Sequence, residues 1–129
     1  MTVRFLDVVP RIPVTDLAAV TAYYAKVLGF SVGMLWPEER PAFAIMRRDD
    51  ATIQFYVEDD AAKCGAVMLN VHVADAMGVH AELRNKVAVE WGPEVYWYGR
   101  REFAVRDPEG NLVIITEETS DPATVAEDD

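Results

Sequence analysis

Cysteine and histidine are nearly missing from this chain: Cys64, His72 and His80 are all it has among 129 residues. No internal disulfide can form, and a reducing, cytoplasmic compartment is expected. Neither histidine belongs to a nucleophile motif such as GxSxG. No apolar run approaches the roughly 20 residues of a membrane span. Met1-Thr2-Val3-Arg4-Phe5 lacks the apolar core of a secretory signal. No basic stripe is present, which argues against nucleic acid as a partner.

Half of the residues are hydrophobic (51%), enough for one domain with its own core, or for two small halves fused into one unit. The formal charge of −10 is unevenly placed. Residues 117–129 carry six carboxylates and no Lys or Arg; the remainder has twelve basic against sixteen acidic residues, or −4. That composition predicts a disordered, solubilising tail. The remaining charge is compatible with a cationic ligand without demanding one.

The periodicity repeats. Val8–Val14 reads as a strand, Thr15 or Asp16 as an N-cap, and Leu17, Val20, Tyr24, Val27 and Leu28 as a helix face closed by Gly29. Strands are expected at Phe30–Trp36, Ala42–Arg47 and Thr52–Val57. Residues 58–65 form a polar linker that holds Cys64, expected to be an exposed thiol. A strand at Ala66–Val73 follows, then a helix capped by Asp75 with Ala76, Val79, His80 and Leu83 on one face. Short strands are expected at Val87–Trp91 and Val95–Tyr98, then a hairpin over 101–115 whose turn is Asp107-Pro108-Glu109-Gly110-Asn111. Val14-Thr15-Asp16 matches Val73-Ala74-Asp75, and Phe43-Ala44-Ile45 matches Phe103-Ala104-Val105, at nearly one offset. The reading is an α+β domain over 1–116 made of two βαβββ modules, about 6–57 and 66–116. Each sheet has a second face that its helix does not cover, and a cleft lined by such faces is a natural ligand site.

The stretches IPVTDLAAVTAYYAKVLGFSV (12–32), FAIMRRDDATIQFYV (43–57) and GRREFAVRDPEGNLVIITEE (99–118) resemble the vicinal oxygen chelate superfamily of glyoxalases, extradiol dioxygenases and bleomycin-resistance proteins. The REFAVRDPEGN run is most similar to the last group. The resemblance implies tandem βαβββ modules around a U-shaped groove, and a homodimer sharing grooves between subunits, with strand exchange as one route. Metal-using members carry four ligands, at places that align with Val9, Gln54, Met68 and Ile114. Gln54 is a weak oxygen ligand, Val and Ile have no donor, and Met prefers soft ions. The implied groove is therefore expected to lack a metal, and no cofactor is expected.

Arg11 alternates with Val9 and is a candidate anion clamp or a structural ion pair. His72 alternates with Met68 and Asn70; its plain reading is a hydrogen-bonded strand-end histidine. Trp36, Phe43, Trp91, Tyr96, Trp97 and Tyr98 exceed what one core face can bury if 96–98 is a strand. The resemblance places Phe43 and Tyr98 near positions that stack planar ligand rings. The expected ligand-binding set is Arg11, Trp36, Phe43, Gln54, His72, Tyr96, Trp97 and Tyr98, with no catalytic residue. The function expected is metal-independent sequestration of a planar compound in an aromatic groove, as in antibiotic resistance. Glu38, Glu39, Glu94 and Glu102 would favour a cation there. The rival is a glyoxalase-like lyase, isomerase or dioxygenase using His72 with Arg11. A third reading is a protein-interaction scaffold.

Overall fold

The structure is a computed structural model that describes residues 2–128. Its elements are β1 (Arg11–Val14), α1 (Leu17–Lys26), β2 (Ser31–Trp36), β3 (Phe43–Arg48), β4 (Ala51–Val57), β5 (Met68–His72), α2 (Ala76–Leu83), β6 (Val89–Tyr96), β7 (Arg100–Arg106) and β8 (Leu112–Glu118). They form two four-stranded sheets ordered β1-β4-β3-β2 and β5-β8-β7-β6. In each, the first strand lies parallel to the last, and the helix makes the crossover that a parallel pair requires. The α+β class and the paired βαβββ units are thus present.

Local chemistry sets the helix ends. Asp16 and Asp75 are the N-caps; their carboxylates accept from the amides of Ala19 and Gly78, both at 3.0 Å. Gly29, past the end of α1, has φ +74°, a left-handed value a side chain would resist.

Strand alternation divides each sheet. Ile12, Val14, Ala44, Met46, Ile53 and Phe55 are buried toward α1; Leu69, Val105, Val113, Phe103 and Ile115 are buried on the corresponding face of the second sheet. With Leu17, Val20 and Tyr24 of α1 and Ala76 and Leu83 of α2 they form one continuous core. Tyr24 is at its centre, with its ring centroid 4.8 Å from that of Phe55. His80, half-buried on α2, packs edge-on against Phe103 at 5.2 Å.

The Asp107–Asn111 turn joins the modules. Asp107 and Asn111 are buried. One Asp107 carboxylate oxygen accepts from the Tyr24 hydroxyl at 2.8 Å and from the Asn111 side-chain amide at 3.1 Å. The other accepts from the backbone amides of Glu109 and Asn111. Asn111 Oδ1 in turn accepts from the amide of Val67. Glu109 reaches the start of α1, accepting from the Thr15 amide at 2.7 Å and from that of Asp16 at 3.2 Å. A carboxylate there also meets the positive end of the helix dipole. Burial, with Asp107 nearby, drives the Tyr24 phenol far above its ordinary range and Tyr23 up to about 12.

Three local expectations change. Val8–Pro10 lies outside β1: the Pro10 carbonyl still accepts from Gln54, yet Pro10 has no N–H to continue the ladder. The two short strands around Gly92-Pro93 are one strand, β6, whose register slips twice, between Val89 and Trp91 and between Trp91 and Glu94. The first module carries the matching slip in β2, between Val32 and Met34. Residues 119–125, in the segment whose composition suggested disorder, run beside the free edge of β6. Thr124 and Val125 donate backbone N–H to the Val95 carbonyl at 2.7 and 3.0 Å, and Arg101 pairs with Asp121. An edge strand has unpaired amides and carbonyls to offer, and this segment takes them.

Candidate ligand-binding faces

On the face of the first sheet turned away from α1, cross-strand partners form rows. One row is Trp36, Phe43, Tyr56 and Pro13; the next is Met34, Ile45, Gln54 and Arg11. Arg11 joins them. Its Nε donates to Gln54 Oε1 at 2.9 Å, and its guanidinium lies 5.1 Å from the Phe43 ring centroid. Trp36 is 61% exposed, the least covered of these aromatics.

The second sheet presents a different face. Ala104, Leu112 and Ile114 pack with Trp91 into a small apolar cluster there. Beyond it, Trp91 stands edge-on to Tyr96 at 5.7 Å, and Tyr96 stacks on Tyr98 at 5.7 Å with the planes 12° apart. Trp97 meets Tyr98 edge-on at 5.2 Å. Residues 97–99 form the β6–β7 turn, so the strand alternation expected of Tyr96-Trp97-Tyr98 does not apply. The turn instead folds Tyr98 back over Tyr96. The Tyr98 hydroxyl donates to Glu102, a carboxylate only 6% exposed. Desolvation first, and this bond second, push the Tyr98 phenol up to about 12; desolvation also raises Tyr96, with Glu94 and Glu102 adding to it.

The eight expected residues therefore fall into two groups. Arg11, Trp36, Phe43 and Gln54 share the first sheet; His72, Tyr96, Trp97 and Tyr98 belong to the second. Arg11 and His72 are not brought together: His72 Nδ1 lies 3.4 Å from Arg100 Nη2, and Arg100 is itself bonded to Thr116. Trp91 and Glu102 stand in the sequence as a surplus aromatic and as an acid favouring a cation, but not in the expected ligand-binding set; the structure places both beside Tyr96 and Tyr98. Glu102 interrupts an apolar strand at a position paired with Thr116.

At the four positions expected from the resemblance to align with metal ligands the chain has Val9, Gln54, Met68 and Ile114. The Gln54 oxygen is already occupied by Arg11. Among the described residues no three His, Cys, Asp or Glu side chains converge to hold a metal ion. This donor set does not fit a divalent metal.

Paired βαβββ modules with an uncovered face on each sheet define a class that sequence comparison identifies. The chain matches the Glyoxalase/Bleomycin resistance protein/Dioxygenase superfamily over residues 5–115 and belongs to it. No curated protein matches. Among solved structures, a bleomycin-binding protein from bleomycin-producing Streptomyces verticillus, complexed with copper(II)-bleomycin, is 25% identical with a TM-score of 0.77, covering 93% of this chain and 100% of its own. A bleomycin resistance determinant encoded on the transposon Tn5 is 18% identical with a TM-score of 0.73, covering 88% and 98%. A glyoxalase/bleomycin resistance protein from Catenulispora acidiphila is 20% identical with a TM-score of 0.70, covering 88% and 98%.

Proposed function

We propose that this protein is a metal-independent small-molecule binder of the bleomycin-resistance type, which sequesters a planar, cationic compound. The observation that carries the reading is the stacked Tyr96–Tyr98 pair bonded through Tyr98 to buried Glu102, with Trp91 edge-on beside it. A parallel aromatic pair offers an electron-rich face to a flat ring, and the carboxylate bonded to the Tyr98 hydroxyl favours positive charge nearby. The bleomycin-binding relatives and the unsuitable donor set support the same reading.

A homodimer completes the proposal. In one chain, Val32, Met34, Leu35 and Trp36 of β2 are exposed, as are Val3, Phe5, Leu6 and Val8 of the extended N-terminal arm. So much exposed apolar surface is uncommon for a monomer. A second copy that covered β2 and exchanged the arm would set the Trp36–Phe43 row against the aromatic wall of its partner. Light scattering tests this directly: the full chain should run as a dimer, and a chain starting at Pro10 should shift toward monomer.

Ligand binding is tested by titrating metal-free bleomycin and following tryptophan fluorescence. A saturable change that weakens about tenfold or more in Tyr98→Ala is expected, the size of a lost stacking contact. No saturable change up to high micromolar concentration would reject bleomycin as the ligand.

A further inference from the structure

We infer that the cleft between the two modules is a second binding site, separate from the sheet faces, for a compact hydrophobic ammonium compound. The cavity has a volume of about 540 Å3, within the roughly 300–1,000 Å3 of small-molecule pockets. It lies among the end of α1, the β3–β4 hairpin, the end of β5 and α2. Its floor is apolar and buried, built from Tyr24, Leu28, Phe30, Ile53, Leu83 and Ile115. The Tyr24 hydroxyl already donates to Asp107, so it has no proton to give a guest. A polar group on a guest must therefore sit at the rim.

The rim sets the sign of that group. Asp49, Asp50, Asp75 and Glu82 line the cavity, against one guanidinium, Arg48, and the imidazole of His72. Arg48 is already committed. Its Nη1 donates to the Leu28 carbonyl at 2.8 Å, and its Nη2 meets Glu82 at 3.2 Å, tying β3 to α2 across the cleft. Asp49 also lies 4.0 Å from Arg48 Nε and Asp75 caps α2, yet four carboxylates against one guanidinium still leave a negative rim over an apolar floor, complementary to an apolar body with an ammonium head. The rigid core makes a compact guest a better fit than a flexible one.

Amide NMR spectra of the isotope-labelled full chain, titrated with adamantylammonium and separately with adamantanecarboxylate, test the assignment. The first should give saturable shifts at Leu28, Ile53 and Leu83; the second should bind about tenfold more weakly because its charge is reversed. Asp49→Asn with Asp50→Asn should weaken the ammonium compound about threefold. Val79→Phe, which projects a ring into the cleft, should abolish the shifts while the spectrum stays dispersed. If Val79→Phe fails to fold, the aspartate pair decides. Equal affinity for both probes, no saturation in the low millimolar range, shifts centred on Trp91 and Tyr98, or an unchanged aspartate pair would each overturn the proposal.

Discussion

The two modules share an element order and a matching register slip, yet their equivalent parts perform different tasks. In the first, the β3–β4 turn is Asp49-Asp50, two exposed residues. In the second, the β7–β8 turn is Asp107–Asn111, whose buried side chains grip α1 and β5. The edge strands differ too. β2 is exposed along its whole length, whereas residues 119–125 run beside β6. Local pattern was duplicated, while long-range partners diverged: one module holds the unit together and covers its own edge, and the other leaves its edge open.

The hairpin turns should show the largest contrast. Asp107→Ala strips partners from the Tyr24 hydroxyl, the Asn111 amide and two backbone N–H groups. It should cost about 3 kcal/mol or more in urea denaturation, whereas Asp50→Ala should stay within about 0.5 kcal/mol. Next come the two glycines at the register slips. A Cβ on Gly92, at φ +79°, would lie 2.3 Å from the Glu102 carbonyl oxygen; on Gly33 it would crowd only the far end of the Arg47 side chain, at 2.5 Å, with the Ile45 carbonyl oxygen in ordinary contact at 3.4 Å. Gly92→Ala should cost about 1–3 kcal/mol and loosen the aromatic wall, seen as altered near-ultraviolet circular dichroism, while Gly33→Ala should leave that signal intact.

Removing residues 119–129 should lower stability by about 1–2 kcal/mol through the lost hydrogen bonds. It should also make self-association concentration-dependent, because the β6 edge would then be bare; sedimentation measures both species. The smallest effect is expected in alkali. Tyr23 and Tyr98 titrate near 12 in the folded chain, above the ordinary 10 of an unfolded phenol. The folded state therefore holds these protons longer. The stability they contribute is complete below pH 10 and is lost as pH rises through 12. Tyrosinate absorbance should rise together with unfolding, and Tyr98→Phe should remove one late-titrating group.

Much of the fold was legible because it is local. Helical spacing in 17–28, the Asp16 and Asp75 caps and the DPEGN turn are features a short window reveals. The candidate faces were legible in part. Arg11, Phe43 and Gln54 do meet, because strand pairing brings alternate residues of adjacent strands together. Glu102 was legible only as one of four acids that would favour a cation; its burial was not, since an acid in a strand reads as solvent-facing until its partner Tyr98 is seen to fold back from a turn. The tail was misjudged for a related reason: composition counts its charges and cannot register a free strand edge waiting beside it.

By itself the chain determined two βαβββ modules and the donor-poor identities at Val9, Gln54, Met68 and Ile114, since periodicity and side-chain chemistry are written residue by residue. Only the tertiary structure decided that Asp107 and Glu109 lock onto α1, that Tyr98 stacks on Tyr96, and that a cleft stays open between the modules. The Tyr96–Tyr98 stack is set by the turn between β6 and β7; the other contacts join residues far apart along the chain, and the packing of the whole core selects them.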